Sequence, residues 1–274
     1  MKNPKKILIA NRGVIAIRAL RAAKELGYQV ASVYSTIDKD QKHLKLSDEA
    51  ICIGPAEAKD SYLNEAAIIS AAELVGADAI YPGYGFLAEN SSFAEKCNQS
   101  GFKFVGPDSQ VIEIMGDKIR AKGLIESLGV PVVPGYTGDI NDQEHIEGIV
   151  EEIGYPVIVK ATAGGGGKGM RVVQDKGELW DSVISAQNEA EFAFGNGEVF
   201  IEKYLQKPRH IEVQVFGDGK GKVVHLYSRD CSLQRRYQKI VEEAPARNLP
   251  EDKLNEIQEI CVRACSELKY EGAG

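Results

Sequence analysis

Four consecutive glycines, Gly164 to Gly167, stand between Lys160 and Lys168 in the stretch Ala161–Met170. Glycines without Cβ atoms let successive backbone N–H groups close on phosphate oxygens, so this spacing suits phosphate binding; a mobile surface loop is the plainer alternative. It is not a P-loop, because Lys168 is followed by Gly169 rather than Ser or Thr, and because it joins two strands instead of opening a helix. Lys160 ends the strand that enters the glycines, and Lys118 follows Gly116-Asp117 at a helix start. Each is either a surface lysine or an ammonium that a nucleotide phosphate would partner. Glu202-Lys203-Tyr204-Leu205 closes a later strand, where a carboxylate and a backbone edge fit an adenine amino group or a surface ion pair. The densest charge lies in Ser228–Pro245, with Arg229, Arg235, Arg236 and Lys239 inside eleven residues. An anion site and a solvated loop explain it equally well.

The elements that must position these groups alternate. Ile7–Ala10 reads as a buried strand, turning at Asn11-Arg12-Gly13 into a helix with Ile15, Ala19, Ala22 and Leu26 on one face. Strands at Val30–Tyr34, Ile51–Ile53, Ala79–Tyr81 and Phe102–Val105 follow, with helices over Ala66–Val75 and Phe93–Gln99. That order predicts an α/β fold whose first domain, 1–105, is a Rossmann-like, mostly parallel sheet with helices on both faces. A helical connector spans 106–131. A small unit at 132–204 holds strands Val157–Lys160, Met170–Val173 and Val199–Glu202, and a helix carrying Leu179, Val183, Ala186 and Ala190. In 205–274, Ile211–Val215 alternates as a half-buried strand, Gly217–Gly221 is a hairpin loop, Lys222–Tyr227 its return, and a helix carries Leu254, Ile257, Cys261, Cys265 and Leu268. Two strands and a helix leave this last unit, antiparallel α+β, incomplete.

The balance of 33 basic against 40 acidic side chains, net −7, argues against a nucleic-acid binder. Cys52, Cys97, Cys231, Cys261 and Cys265 are scattered and odd in number, which predicts reduced thiols in a cytoplasmic protein; the last two read as core packing. The apolar run after Lys5-Lys6 is too short for a signal peptide, and no stretch reaches the length of a membrane span.

Taken together, Ile9–Gly13, Pro82-Gly83-Tyr84-Gly85-Phe86-Leu87-Ala88-Glu89-Asn90, Lys160–Arg171 and Arg229–Pro245 make the chain from Lys6 to Gly274 resemble the biotin carboxylase family of the ATP-grasp superfamily. The last three segments, in this order and spacing, are highly specific. The resemblance implies that 132–204 is an ATP-grasp lid and 205–274 the start of the ATP-grasp C-terminal domain. It implies ATP contacts at Lys118, Lys160, Gly166, Gly167, Glu202, Lys203, Leu205, His210, Gln234 and Tyr237, and bicarbonate at Lys239. Cys231 is either a partner of Lys239 that shifts both groups or an inert packed thiol. Tyr84 falls in the segment that lines the biotin pocket. Arg18 and Arg21 match a dimer surface, or simply face solvent. Tyr237 stands where many members have His, which removes a group that titrates near neutrality.

The implied reaction is ATP-dependent carboxylation of biotin by bicarbonate through carboxyphosphate, with Mg2+ (or Mn2+) on the nucleotide. The implied partners are a biotin carboxyl carrier protein, a carboxyltransferase subunit and a second copy in a full-length homodimer. The setting is an acyl-CoA or 2-oxoacid carboxylase, acetyl-CoA carboxylase and fatty acid biosynthesis among them. The family's metal-binding glutamates, catalytic base and biotin-facing arginine are expected beyond Gly274, so no metal ligand is assigned here, and the chain alone is expected to lack full activity. Other ATP-grasp ligases, of the carbamoyl-phosphate synthetase or purine carboxylase type, and a non-catalytic nucleotide- or subunit-binding module are the competing readings.

Overall fold

The computed structural model describes residues 5–162, 169–235 and 238–274, with Lys118 described by its backbone alone. Two compact units divide the chain. The first runs to Gly116 and includes Phe216–Val223 and Cys265–Gly274; the second is Asp117–Val215 with Val224–Ala264.

In the first unit the elements run β1 (Lys6–Ile9), α1 (Gly13–Glu25), β2 (Gln29–Tyr34), α2 (Lys42–Leu46), β3 (Glu49–Cys52), α3 (Glu65–Val75), β4 (Ala79–Tyr81), α4 (Ser91–Gln99), β5 (Lys103–Phe104) and α5 (Ser109–Gly116). The sheet order is β3-β2-β1-β4-β5, parallel throughout. Consecutive β1 residues point to opposite faces: Leu8 joins a core with Val33, Ile68, Ile80 and Phe93, and Ile9 joins Ala16, Leu20, Ala23 and Val30. Asn64 and Asn90 cap α3 and α4 by accepting from Ala67 N and Phe93 N.

The α1 face expected from the sequence is displaced by one residue. Ala16, Leu20 and Ala23 are the buried positions, whereas Ala22 and Leu26 are exposed. Helical spacing alone leaves the phase open among alanines and isoleucines; packing against β1 and β2 selects it.

From Asp117 onward, α6 (Lys118–Ser127), β6 (Gly135–Tyr136), α7 (Gln143–Ile153), β7 (Val157–Ala161), β8 (Arg171–Val173), α8 (Leu179–Phe194) and β9 (Val199–Lys203) precede β10 (Ile211–Asp218), β11 (Val223–Arg235), β12 (Gln238–Glu243) and α9 (Glu251–Glu267). An antiparallel sheet ordered β6-β9-β7-β8 buries Val157, Val159, Ala161, Val199 and Ile201 against Leu179, Val183, Ala186 and Ala190 of α8, the stripe read from the sequence. The even-numbered residues Ile158, Lys160, Phe200 and Glu202 therefore take the other face.

Three expectations for the last segment change. The return strand continues through Arg235 and pairs with β12, so most of the charge cluster is strand rather than loop. The chain end is strand as well: β13 (Glu271–Ala273) pairs with β10, giving the order β12-β11-β10-β13 where two strands were expected. Neither addition carries a regular apolar alternation: all six residues of β12 are exposed, and β13 is only three residues long. On α9 the expected stripe is only half covered, with Gln258 and Ala264 the buried residues, Cys261 and Cys265 intermediate and Ile257 exposed.

Candidate nucleotide and anion site

Lys160 sits near the end of β7, and the glycine stretch that follows, Gly166 and Gly167 included, lies outside the described residues; so does Tyr237. Across the sheet, Lys160 Nζ donates to Glu202 Oε2 at 2.7 Å. The second oxygen of Glu202 accepts from Lys122 Nζ of α6 at 2.8 Å. Burial would lift the Glu202 carboxyl, but the hydrogen bonds from Lys122 and Lys160 outweigh it and hold it below its ordinary value. Lys118 opens α6, whose N-terminus is capped by Asp117 Oδ1 accepting from Ile119 N and Arg120 N.

Lys203, next along β9, turns to the opposite face and donates to the carbonyls of Gly154 and Tyr155 at 2.8 and 2.9 Å. Its ammonium fastens the strand to the α7–β7 connection. Leu205 follows the strand and is exposed.

The second cluster is built by β10, β11 and β12. Register pairs Lys239 with Gln234, and Lys239 Nζ reaches Glu212 on β10 in direct contact. Arg229 grips the other Glu212 oxygen through Nε at 2.7 Å and a terminal nitrogen at 2.6 Å, and its other terminal nitrogen donates to Gln214. Burial opposes ionisation of Glu212, yet the Lys239 and Arg229 hydrogen bonds bring its carboxyl down to about 2. The Glu212 hydrogen bond raises the Lys239 ammonium in turn. Cys231 is fully buried beside this group, and burial, reinforced by Glu212, pushes its thiol up despite the nearby Lys239 charge. Glu212, not Cys231, is thus the direct partner of Lys239.

His210 is fixed from three sides. Its N–H donates to Ser232 Oγ, its carbonyl accepts from Cys231 N, and Gln234 Nε2 donates to its Nδ1 at 2.7 Å. Arg209 holds Asp230, whose carboxyl the Ser232 and Arg209 hydrogen bonds lower to about 2.

Among the described residues, Glu212, Cys231 and Glu242 bring three ligand-type atoms within 4.8 Å of one another. The set does not fit magnesium. Glu212 is already bound by two cations, Arg229 also approaches Glu242 at 3.9 Å, and a thiol is a poor ligand for a hard ion. Glu212 and Lys122 were not singled out from the sequence. Glu212 was one polar position of an alternating strand, and Lys122 one lysine of a polar helix.

In the first unit, Asn11 is fully buried where β1 ends, and its amide donates to the carbonyls of Pro82 at 2.7 Å and Tyr84 at 3.0 Å. This shapes the turn after β4 and leaves the Tyr84 ring exposed. Gly83 there has φ +71°, and a Cβ would meet Ile15 Cγ2 at 2.7 Å. Behind it Asp38 accepts from Arg12, Ser35 Oγ and Tyr62 Oη. Arg18 and Arg21 are exposed on α1.

Two family domains match this architecture: the biotin carboxylase N-terminal domain over residues 3–112 and the ATP-binding domain of the carbamoyl-phosphate synthase L chain over 117–274. The pair defines an ATP-grasp type of chain. It belongs to the biotin carboxylase family. It is 56% identical over 270 residues to a biotin carboxylase of Pseudomonas aeruginosa, covering 98% of this chain and 60% of the relative. The α subunit of a mitochondrial methylcrotonoyl-CoA carboxylase from Arabidopsis thaliana is 51% identical, with 98% and 37% covered. A Campylobacter jejuni biotin carboxylase solved as a β,γ-ATP complex superposes with TM-score 0.94 at 51% identity, covering 99% of this chain and 61% of that one. The biotin carboxylase domain dimer of Hydrogenobacter thermophilus 2-oxoglutarate carboxylase, in complex with MgADP, ADP and bicarbonate, gives TM-score 0.92 at 48% identity, with 100% and 60% covered. The chain thus spans about 60% of the length of the curated biotin carboxylases it matches.

Proposed function

We propose that this chain supplies the nucleotide- and bicarbonate-holding part of an ATP-dependent biotin carboxylase. The observation that carries the reading is the pair of carboxylate-held lysines: Lys160 at the strand end entering four glycines, and Lys239 on a hairpin that also carries Arg229 and Gln234. A fixed ammonium neutralises an anion and offsets its desolvation, so the two lysines suit a phosphate chain and bicarbonate. Lys118, Gly166, Gly167, Glu202, Lys203, Leu205, His210, Gln234 and Tyr237 complete the ATP side, and Tyr84 lines the biotin side.

In the reaction, a bicarbonate oxygen displaces ADP at the γ-phosphorus to give carboxyphosphate, which breaks down to CO2 and phosphate; the ureido nitrogen of biotin gives its proton to the released phosphate and attacks CO2. Magnesium enters with the nucleotide as its complex, and no step is assigned to a metal held by this chain. The relatives' complexes with ATP, MgADP and bicarbonate support this substrate set. We extend the reading to a carrier-bound biotin, a carboxyltransferase partner, a homodimer with Arg18 and Arg21 at its surface, and a cytoplasmic setting; no helix among the described residues is long and apolar enough to cross a membrane. The proposed division is 1–105, 106–131 as connector, the lid 132–204, and 205–274. Acetyl-CoA carboxylase and fatty acid synthesis are one setting, methylcrotonoyl-CoA carboxylation another, and the site residues serve both.

Phosphate release from ATP by a protein carrying this sequence tests the reading. We expect it to require bicarbonate, to rise with biotin, and to fall by two orders of magnitude or so in Lys239→Ala. Release that ignores both bicarbonate and biotin would contradict it.

A further inference from the structure

Glu202 holds two ammonium groups, and only one belongs to a lysine read as an ATP ligand. Lys160 reaches one carboxylate oxygen from the neighbouring strand, and Lys122 reaches the other from α6. The carboxylate is the most enclosed of the three: the side chains of Glu202, Lys122 and Lys160 are 13%, 21% and 30% exposed. An anion so enclosed, with a single cation, would be left bare whenever that cation turned to another partner, and an unpaired shielded carboxylate is costly. With two cations, one can leave. Lys122 comes from a helix and Lys160 from a strand, so the second pair does not depend on where the Lys160 side chain points.

We propose that Lys122 is a positioning residue for nucleotide phosphate: it keeps Glu202 neutralised, so that the Lys160 ammonium can leave the carboxylate for an anionic phosphate oxygen. The inference rests on the nucleotide reading above. It makes the Lys160–Glu202 bond the one exchanged when phosphate binds, and the Lys122–Glu202 bond the one that stays. Without Lys122, phosphate and Glu202 compete for one ammonium. The loss then falls on ligands with phosphate and spares those without.

Calorimetry of the 274-residue chain with ATP and with adenosine as probes separates these outcomes. Lys122→Met should weaken ATP roughly tenfold while leaving adenosine within about twofold, and Lys122→Arg should restore ATP binding. In a Glu202→Gln background, Lys122→Met should have no further effect on ATP, because there is no carboxylate left to neutralise. An unchanged ATP affinity in Lys122→Met, or equal weakening of ATP and adenosine, would overturn the inference while wild-type ATP binding upholds the nucleotide reading. A wild-type chain that binds neither probe would overturn that reading and this inference with it.

Discussion

Lys239 and Glu212 are 27 residues apart and in direct ionic contact across β10, β11 and β12, with Arg229 on the other Glu212 oxygen. The hairpin thus holds the lysine read as the bicarbonate ligand on a fixed anchor rather than on a free side chain.

That contact gives a pH signature. The Glu212 carboxyl lies at about 2 in the folded chain against its ordinary 4.5, so the folded state binds the proton less readily than the unfolded one. Its contribution to stability is therefore present above about 4.5 and is lost as pH falls towards about 2. Urea unfolding followed over this range should show a loss that Glu212→Gln reduces. An unchanged pH slope in the variant would show that the pair does not favour the folded state.

Thiol chemistry should separate the cysteines. Cys52 is exposed and Cys231 fully buried, with burial raising the Cys231 thiol. Near neutral pH, a maleimide should label Cys52 and leave Cys231 untouched until the chain is unfolded, as peptide mapping would show. Rapid labelling of Cys231 in the folded chain would indicate a thiolate paired with Lys239.

The turn that carries Tyr84 depends on Gly83. With φ +71° and Ile15 Cγ2 at 2.7 Å from a built Cβ, Gly83→Ala should cost about 1–3 kcal/mol in denaturant unfolding. A cost below about 0.5 kcal/mol would mean that Ile15 and Asn11 yield without loss.

In the same unit, the side chain of Asp38 is only 3% exposed and gathers Arg12, Ser35 and Tyr62. Asp38→Ala leaves those donors without their acceptor and should cost about 2 kcal/mol or more. Thermal unfolding monitored by circular dichroism reads this directly, and an unshifted midpoint would contradict it.

Much of this was legible in the sequence because local pattern and tertiary demand agree there. The α8 stripe Leu179, Val183, Ala186 and Ala190 is wholly buried, and the five strands read from 7–105 are the five of the parallel sheet, with bounds shifted by at most two residues. The phase of α1 was not legible, because alanine and isoleucine suit either face. The β12 strand was not either, since all six of its residues are exposed. Lys160 and Lys239 stood out through their neighbours in sequence, whereas Glu212 and Lys122 act through neighbours in space. Arg229 and Glu212 lie 17 residues apart on the adjoining strands β11 and β10, so the proximity of a hairpin hints at their contact, though counting from the loop alone would set Arg229 opposite Ile211. No comparable signal joins Lys122 to Glu202, 80 residues away on another element.

We propose that this chain forms a working nucleotide site around Lys160. Titrating it with ATP by calorimetry, with and without magnesium and beside Lys160→Ala, tests that claim directly. We expect saturable binding by the wild-type chain and its loss, by tenfold or more, in the variant. Binding of equal strength in both, or none in the wild type, would contradict it.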